Sequence, residues 1–344
     1  MPLNEDAEDA LKKEIADLKQ ENEKLKGSVD DVQGSVDDVV IATDEAIKAQ
    51  EARSDKYSWG GYGELHGNWL DDQKGSSDTD KMDFHRFVLY FNYKYSEKLK
   101  FVSELELEHS LAGDGQPGEV ELEQAYVEYD LTPDTSVTAG LFLIPVGLLN
   151  ETHEPDTFYG VERNDVEKNI IPTTWWEGGG MISHNITDGL NFRAGVHSGL
   201  KVDTTGSDAW KIRGGRQKVA NATAKHLAYT GALKWTSIPG LTLGATLNYQ
   251  DDIDQGTSPN GDEAILAEVH MDMKKGPFGL RALYANWDVK GSGPESTGQD
   301  EQYGYYIEPS YRFPTYAGDV GLFARYSVWD NKDGSGSTTD TEYK

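Results

Sequence analysis

Residues 82–95 read MDFHRFVLYFNYKY, residues 98–108 read KLKFVSELELE, and residues 119–131 read EVELEQAYVEYDL. Apolar and polar residues alternate along each stretch, and this repeat of two is that of a β-strand, not of a helix. Phe87, Leu89 and Phe91 fall on one face of the first stretch, and Arg86 falls on the other. The sequence therefore predicts consecutive strands that each have one apolar face and one polar face.

The same pattern continues from Tyr57 almost to the end of the chain. It predicts thirteen strands, at 57–70, 82–95, 98–111, 119–131, 135–148, 175–186, 189–199, 226–236, 240–251, 263–274, 277–288, 302–313 and 319–330. The connections are alternately short, such as Ser96-Glu97, and long. This alternation is typical of bacterial outer-membrane barrels, whereas a soluble Greek-key sandwich has no reason to show it. We therefore predict an all-β fold, a transmembrane antiparallel β-barrel over residues 56–344.

The composition narrows the classes of function. Lys and Arg number 32 against 60 Asp and Glu, and the resulting net charge of -28 disfavours nucleic acid, because phosphate binding needs a basic surface. Cysteine is absent, which excludes a disulfide framework, a thiolate zinc site and a cysteine nucleophile. No Ser-His-carboxylate set and no pair of histidines at a familiar ligand spacing is recognisable. We predict no enzymatic activity, no cofactor and no metal site.

Residues 1–55 carry a different pattern, in which core positions recur at alternating spacings of four and three. The series is Leu11, Ile15, Leu18, Asn22, Leu25, Val29, Val32, Val36 and Val39. Such a heptad seam predicts a coiled coil, and an Asn at a core position commonly fixes its register. The alternative is one amphipathic helix that lies on a domain. We expect a separate N-terminal coiled coil in the periplasm.

Two stretches carry a likeness to a known family. Residues 126–155 (YVEYDLTPDTSVTAGLFLIPVGLLNETHEP) and 173–200 (TTWWEGGGMISHNITDGLNFRAGVHSGL) resemble the outer-membrane porins related to the phosphate-selective porins. A coiled coil before the barrel is similar to the dicarboxylate-transporting trimeric branch of that superfamily. The resemblance covers about residues 57–330 and implies a homotrimer of sixteen-stranded barrels. Phosphate-selective members line the pore with Arg and Lys, and this chain has no lumen so one-sidedly basic.

The longest connection without strand character is residues 150–174, between the fifth and sixth predicted strands. A connection of this length is usually functional or disordered, and its apolar residues need a surface to cover. In porins the loop at this place folds into the barrel, and we expect the same here. The residues expected at the constriction are Phe158, Tyr159, Arg163, Asp165 and Lys168. The alternative is an outside loop that packs against a neighbouring subunit.

The polar face of the strands should line the pore, because lipid-facing residues of such barrels are apolar. The charged residues on that face are Arg86, Glu104, Glu106, Glu128, Arg193, Lys234, Glu268, Asp272, Arg281, Glu308, Arg312 and Arg325. The third and fourth strands supply carboxylates, the strands from the seventh onward supply most cations, and barrel closure should bring Arg86 near those cations. Opposed walls of opposite charge create a transverse field that orients dipolar solutes.

These features predict an outer-membrane porin for passive diffusion of small hydrophilic solutes, with anions among the candidates. We expect a homotrimer in contact with outer-membrane lipid and lipopolysaccharide. One alternative is a structural envelope tether or adhesin that uses the barrel as an anchor, and another is an outer-membrane hydrolase. Because bacterial single-chain barrels have an even number of strands, the thirteen found here also lead us to expect further strands beyond Lys344.

Overall fold

The computed structural model describes residues 5–54, 56–71, 79–256, 262–316, 318–334 and 341–344. The chain separates into two compact units, Met1–Ser58 and Trp59–Lys344. The first unit is helical and the second is an antiparallel β-sheet. No helix in the described part of the chain is long and apolar enough to cross a membrane.

The first unit contains one continuous helix, α1 (Glu5–Ser54). Gly27 and Gly34 lie within it, although each costs about 1 kcal/mol relative to Ala in a helix interior. The apolar seam residues share high exposure, between 46% and 64%, and they are Leu11, Ile15, Leu18, Leu25, Val29, Val32, Val36 and Val39. The helix therefore presents a long apolar stripe to its surroundings.

The second unit is built from strands that follow one another in sequence order. They are β1 (Tyr57–Leu70), β2 (Thr79–Lys94), β3 (Leu99–Glu108), β4 (Val120–Thr132), β5 (Thr135–Leu143), β6 (Trp176–Thr187), β7 (Leu190–His197), β8 (Ala228–Trp235), β9 (Leu241–Gln250), β10 (Ala264–Lys275), β11 (Phe278–Val289), β12 (Glu301–Thr315), β13 (Gly318–Phe323) and β14 (Tyr326–Asp330). Short helices α2 (Val166–Asn169) and α3 (Ser292–Thr297), and a 3-10 turn at Ile212–Gly215, lie in the connections. The predicted antiparallel all-β architecture is confirmed.

Neighbouring strands pair from β1 through β13, and β14 pairs with β12. β13 lies against Ser310–Thr315 and β14 against Tyr303–Ile307, so the two are halves of the single strand predicted at 319–330. In the described part of the chain the sheet is open, with β1 at one edge and β13 with β14 at the other.

One predicted strand ends earlier than its sequence pattern indicated. The fifth strand was expected to reach residue 148, but β5 ends at Leu143. Pro145 lacks the amide hydrogen that a ladder needs, and Gly147 adopts a φ of +68°, where a strand cannot continue. The chain therefore leaves the sheet after Leu143 and returns to it at Trp176.

The two faces of the sheet differ as alternation requires. Leu247, Val269 and Ile307 are exposed on one face, whereas Glu268 and Glu308 are buried on the other. Residues 144–175, hereafter the inner loop, cover this second face, hereafter the inner face. An apolar outer face of this kind suits contact with lipid.

The apolar core lies between long connections and the inner face, not between two sheets. Ile170 and Trp175 of the inner loop, Leu200 of the following long connection, and Trp287 of β11 are all fully buried in it. The indole Nε1 of Trp287 donates a hydrogen bond to the carbonyl of Ile170 over 2.9 Å. The inner loop is thus ordered by packing against the strands it crosses.

Candidate pore lining and constriction

The inner loop contacts strands that lie far apart in the sheet order. The Tyr90 hydroxyl of β2 donates to Glu154 over 3.0 Å, and the Tyr159 hydroxyl lies 3.1 Å from Ser310 Oγ of β12. In a flat sheet these two strands would be about 48 Å apart, at roughly 4.8 Å per strand. Five residue steps of backbone reach at most about 18 Å. The sheet therefore curls around the loop, and the inner face encloses it.

A buried carboxylate of the loop holds its two ends together. Glu167 in α2 accepts hydrogen bonds from the backbone amides of Leu148, over 3.0 Å, and Leu149, over 2.6 Å. Its other oxygen accepts from the Tyr306 hydroxyl of β12 over 2.6 Å. Burial raises the pKa of Glu167 above its ordinary value, although these hydrogen bonds oppose the shift. One side chain thus ties the loop to itself and to the strand behind it.

The first wall of the inner face is acidic. His153 of the inner loop places its Nε2 atom 2.8 Å from Glu123 and 3.5 Å from Glu104. Burial alone would lower the pKa of His153, but the interactions with the two carboxylates outweigh it and raise the pKa to about 10. A protonated His153 therefore bridges the loop to β3 and β4 at neutral pH.

Arg86 belongs to this acidic wall. Its Nε atom lies 2.9 Å from Glu64, and its Nη1 atom lies 3.6 Å from Glu106. β1 and β3 thus flank Arg86 with carboxylates, and its approach to the cations of the later strands on barrel closure stays a prediction, because the described sheet is open. Its charge is largely neutralised by these neighbours.

Strict alternation of the sequence assigns two further carboxylates of this wall to the wrong face of the sheet. Counting back from Glu128 in steps of two places Glu121 and Glu123 on the lipid side, but the structure places both among the charged groups of the inner face. A bulge opposite Glu104 and Leu105 adds one residue to β4 and resets its alternation. The sequence alone could have indicated this irregularity, because two glutamates on the lipid-facing side of a strand would carry a large free-energy penalty.

The second wall carries guanidinium groups that share carboxylates. Arg325 Nη2 lies 2.5 Å from Glu308, and Arg281 Nη1 lies 3.8 Å from the same carboxylate. Arg281 also lies 3.7 Å from Asp272, and its guanidinium carbon is 5.1 Å from the centre of the Tyr159 ring. These four charged side chains form one network that supports the tip of the inner loop.

A cleft of about 380 Å³ separates the inner loop from this second wall. Its polar and aromatic lining residues are Thr152, Asp156, Thr157, Phe158, Tyr159, Lys234, Thr242, Asp272, Lys274, Arg281 and Arg312. Four of these side chains are basic and two are acidic. Among the described residues, no carboxylate lies within ion-pair distance of Lys234 or Arg312. The lining of the cleft therefore carries a net positive charge.

The remaining predicted pore-lining residues form ion pairs outside the two networks described above. Arg193 donates to both oxygens of Glu151 at the base of the inner loop, with Nη2 to Oε2 at 2.7 Å. Glu128 pairs with Lys100 and Glu268 with His270, at 2.5 Å and 2.8 Å.

Among the predicted constriction residues, only Phe158 and Tyr159 line the cleft. Arg163 donates to Thr174 within the loop over 3.1 Å. Asp165 and Lys168 are exposed at α2 and lie outside the cleft.

A curled antiparallel sheet around an internal loop is the architecture of outer-membrane porins, and solved structures agree. The anion-selective porin from Comamonas acidovorans superposes with a TM-score of 0.52 at 14% identity, over 80% of each chain. OmpF of Salmonella typhi superposes with a TM-score of 0.52 at 15% identity, over 83% of this chain and 84% of that one. These similarities establish the β-barrel fold.

Residues 60–343 match the family described as phosphate-selective porin O and P, and the chain belongs to this family. An uncharacterised protein of Aquifex aeolicus is 36% identical over 247 residues, which cover 71% of this chain and 53% of that protein. The chain thus spans about half the length of this curated relative. The resemblance to phosphate-selective porins expected from the sequence is confirmed.

Proposed function

We propose that the chain forms an outer-membrane channel for passive diffusion of small hydrophilic solutes, with a preference for anions. The observation that carries the proposal is the basic cleft between the inner loop and the second wall. The loop narrows the interior, and Lys234 and Arg312 line the space that it leaves. The family's description and the anion selectivity named for the Comamonas porin support this choice.

The geometry accounts for such a preference by electrostatics. The Lys234 ammonium and the Arg312 guanidinium attract anions into the cleft, and low-dielectric walls focus their field. The acidic wall on β3 and β4 repels the same anions, so a solute is drawn to one side of the loop. A volume of about 380 Å³ holds about a dozen water molecules at roughly 30 Å³ each. Small hydrated ions and small carboxylates therefore fit.

Reversal potentials in planar bilayers under a salt gradient test the proposal. A Lys234→Ala, Arg312→Ala double variant should shift the reversal potential toward cation preference, because it removes two charges from the cleft. Lys201→Ala, which removes an exposed lysine from a long connection, is the matched control and should leave the potential unchanged. The same reversal potential in the double variant as in the parent would remove the cleft from the ion pathway.

We further propose a homotrimer, in contact with outer-membrane lipid and lipopolysaccharide. Residues 1–55 would form its periplasmic coiled coil and residues 56–344 its barrels. The exposed seam of α1 supports this assembly, because a heptad stripe of that length is buried when helices of several copies wind together. Family and fold point to a channel and not to an enzyme.

A structural envelope tether is the second candidate, and the length of α1 favours it. A helix of 50 residues spans about 75 Å at 1.5 Å per residue. In that case the barrel would serve as an anchor only. Planar bilayers distinguish the two, since a tether predicts barrels that insert without measurable ion conductance, whereas the channel predicts stepwise conductance.

A further inference from the structure

Three histidines from neighbouring strands meet on the acidic wall. His66 lies on β1, His85 on β2, and His109 directly after the end of β3. The rings of His66 and His85 are stacked with centroids 4.3 Å apart, and His109 meets His85 edge-on with centroids 5.6 Å apart. No local sequence pattern reveals this cluster, because its members lie far apart along the chain, on β1, on β2 and just after β3.

Two carboxylates complete the cluster. Asp83 Oδ2 lies 2.8 Å from His109 Nδ1 and 3.3 Å from His85 Nδ1. Glu64 Oε1 lies 2.6 Å from His66 Nε2. Each carboxylate thus forms a triad with two imidazoles, Asp83 with His85 and His109, and Glu64 with His66 and His85. Within each triad the candidate ligand atoms lie within 4.8 Å of one another.

We propose that Asp83, His85 and His109 bind a divalent transition-metal ion of the zinc class. Two imidazoles and a carboxylate form a donor set that suits Zn²⁺, Ni²⁺ or Cu²⁺, whereas Ca²⁺ and Mg²⁺ prefer oxygen ligands alone. Ligands of a tetrahedral zinc ion lie about 3.4 Å apart, since each is roughly 2.0–2.1 Å from the metal. The separation of 3.3 Å between Asp83 and His85 is close to this value, and the 2.8 Å between Asp83 and His109 needs only a small opening.

The charges next to the two triads favour Asp83, His85 and His109 as the metal site. Arg86 Nε lies 2.9 Å from Glu64, so a guanidinium already occupies one side of that carboxylate and opposes a second cation. No cationic side chain lies within ion-pair distance of Asp83 among the described residues, apart from its two histidines. The side chains of Asp83, His85 and His109 are 28%, 25% and 33% exposed, which leaves a path for an ion and room for water ligands.

Titration of the detergent-solubilised full chain with ZnCl₂ tests the site, in protein that carries no histidine tag. Calorimetry should give one Zn²⁺ per chain, and excess Ca²⁺ or Mg²⁺ should not displace it. His109→Ala and Asp83→Asn should each weaken binding by at least about tenfold, because each removes a direct ligand. His184→Ala, which alters a histidine on β6 outside the cluster, should bind as the parent does.

Three results would overturn the assignment. Absence of Zn²⁺ binding in the parent would reject the site outright. Binding that survives His109→Ala but is lost in His66→Ala would place the ion in the other triad. Equal loss in His184→Ala would show that Zn²⁺ binds histidines of this chain without a defined site. Heat-modifiable migration of each variant on gels checks that its barrel is folded.

Discussion

Asn150 and Trp175 are 25 residues apart, and the Asn150 side chain bonds to the Trp175 backbone in both directions. The Trp175 amide donates to Asn150 Oδ1 over 2.7 Å, and Asn150 Nδ2 donates to the Trp175 carbonyl over 2.8 Å. The same Nδ2 also donates to the Ile144 carbonyl over 2.7 Å. The amide side chain thus joins the two segments just beyond the β5–β6 ladder, where the Ile144 amide also donates to the Trp175 carbonyl over 3.0 Å. It fixes the point where the inner loop leaves the sheet and returns to it.

Replacement of Asn150 by Ala should loosen the inner loop. The Trp175 amide would lose its hydrogen-bond partner in a buried position, at about 1–3 kcal/mol, whereas the Ile144 and Trp175 carbonyls would keep the Val146 and Ile144 amides as donors. We expect a lower thermal unfolding midpoint and a larger, noisier single-channel conductance. Asn169→Ala is the control, because its side chain makes one hydrogen bond, at an exposed position of the same loop. Identical behaviour of the two variants would show that Asn150 does not hold the loop.

The attachment of the inner loop to the acidic wall should weaken at alkaline pH. The pKa of His153 is raised from 6.5 to about 10 in the folded protein. Its stabilising contribution is therefore complete below pH 6.5 and is lost as the pH rises through about 10. The thermal midpoint of the parent should exceed that of His153→Gln at neutral pH, and the difference should shrink above pH 10. A difference that is constant across this range would contradict a charged His153.

Neutralising Glu308 should make the second wall more basic. Arg281 and Arg325 both face this carboxylate, so Glu308→Gln leaves their charges less compensated. We expect a shift of the reversal potential toward anions, and Arg325→Ala should shift it in the opposite direction. Glu301→Gln is the matched control at an exposed position of the same strand. Shifts of the same sign in Glu308→Gln and Arg325→Ala would exclude this network from charge selection.

If the proposed trimer is held by its barrels, removal of residues 1–50 should leave it trimeric, because we expect contact between barrel walls to bury more surface than three helices do. Size-exclusion chromatography with light scattering in detergent measures the outcome. A variant that elutes as a monomer would show instead that the seam of α1 assembles the protein.

Sequence patterns predict features that repeat along a strand, but they do not predict bulges or contacts between residues that are distant in sequence. Glu268 and Val269 fall on the expected faces because alternation continues unbroken along β10. Glu123 does not, since one inserted residue in β4 reverses the count. Asn150 and His153 act through partners that are distant in sequence, so their roles depend on a curled sheet that no local pattern describes.

The position of the apolar core has a consequence for the environment that this protein needs. In the proposed membrane channel the outer face meets lipid, so a change of detergent alters the surroundings of residues such as Leu247 and Val269. Trp175 and Trp287 are sealed within the chain itself and are screened from that change. The inner loop should therefore keep its fold across detergents that differ widely in how well they solvate the barrel exterior. In this proposal the packing of the inner loop depends on contacts within the chain and not on the lipid or detergent outside it.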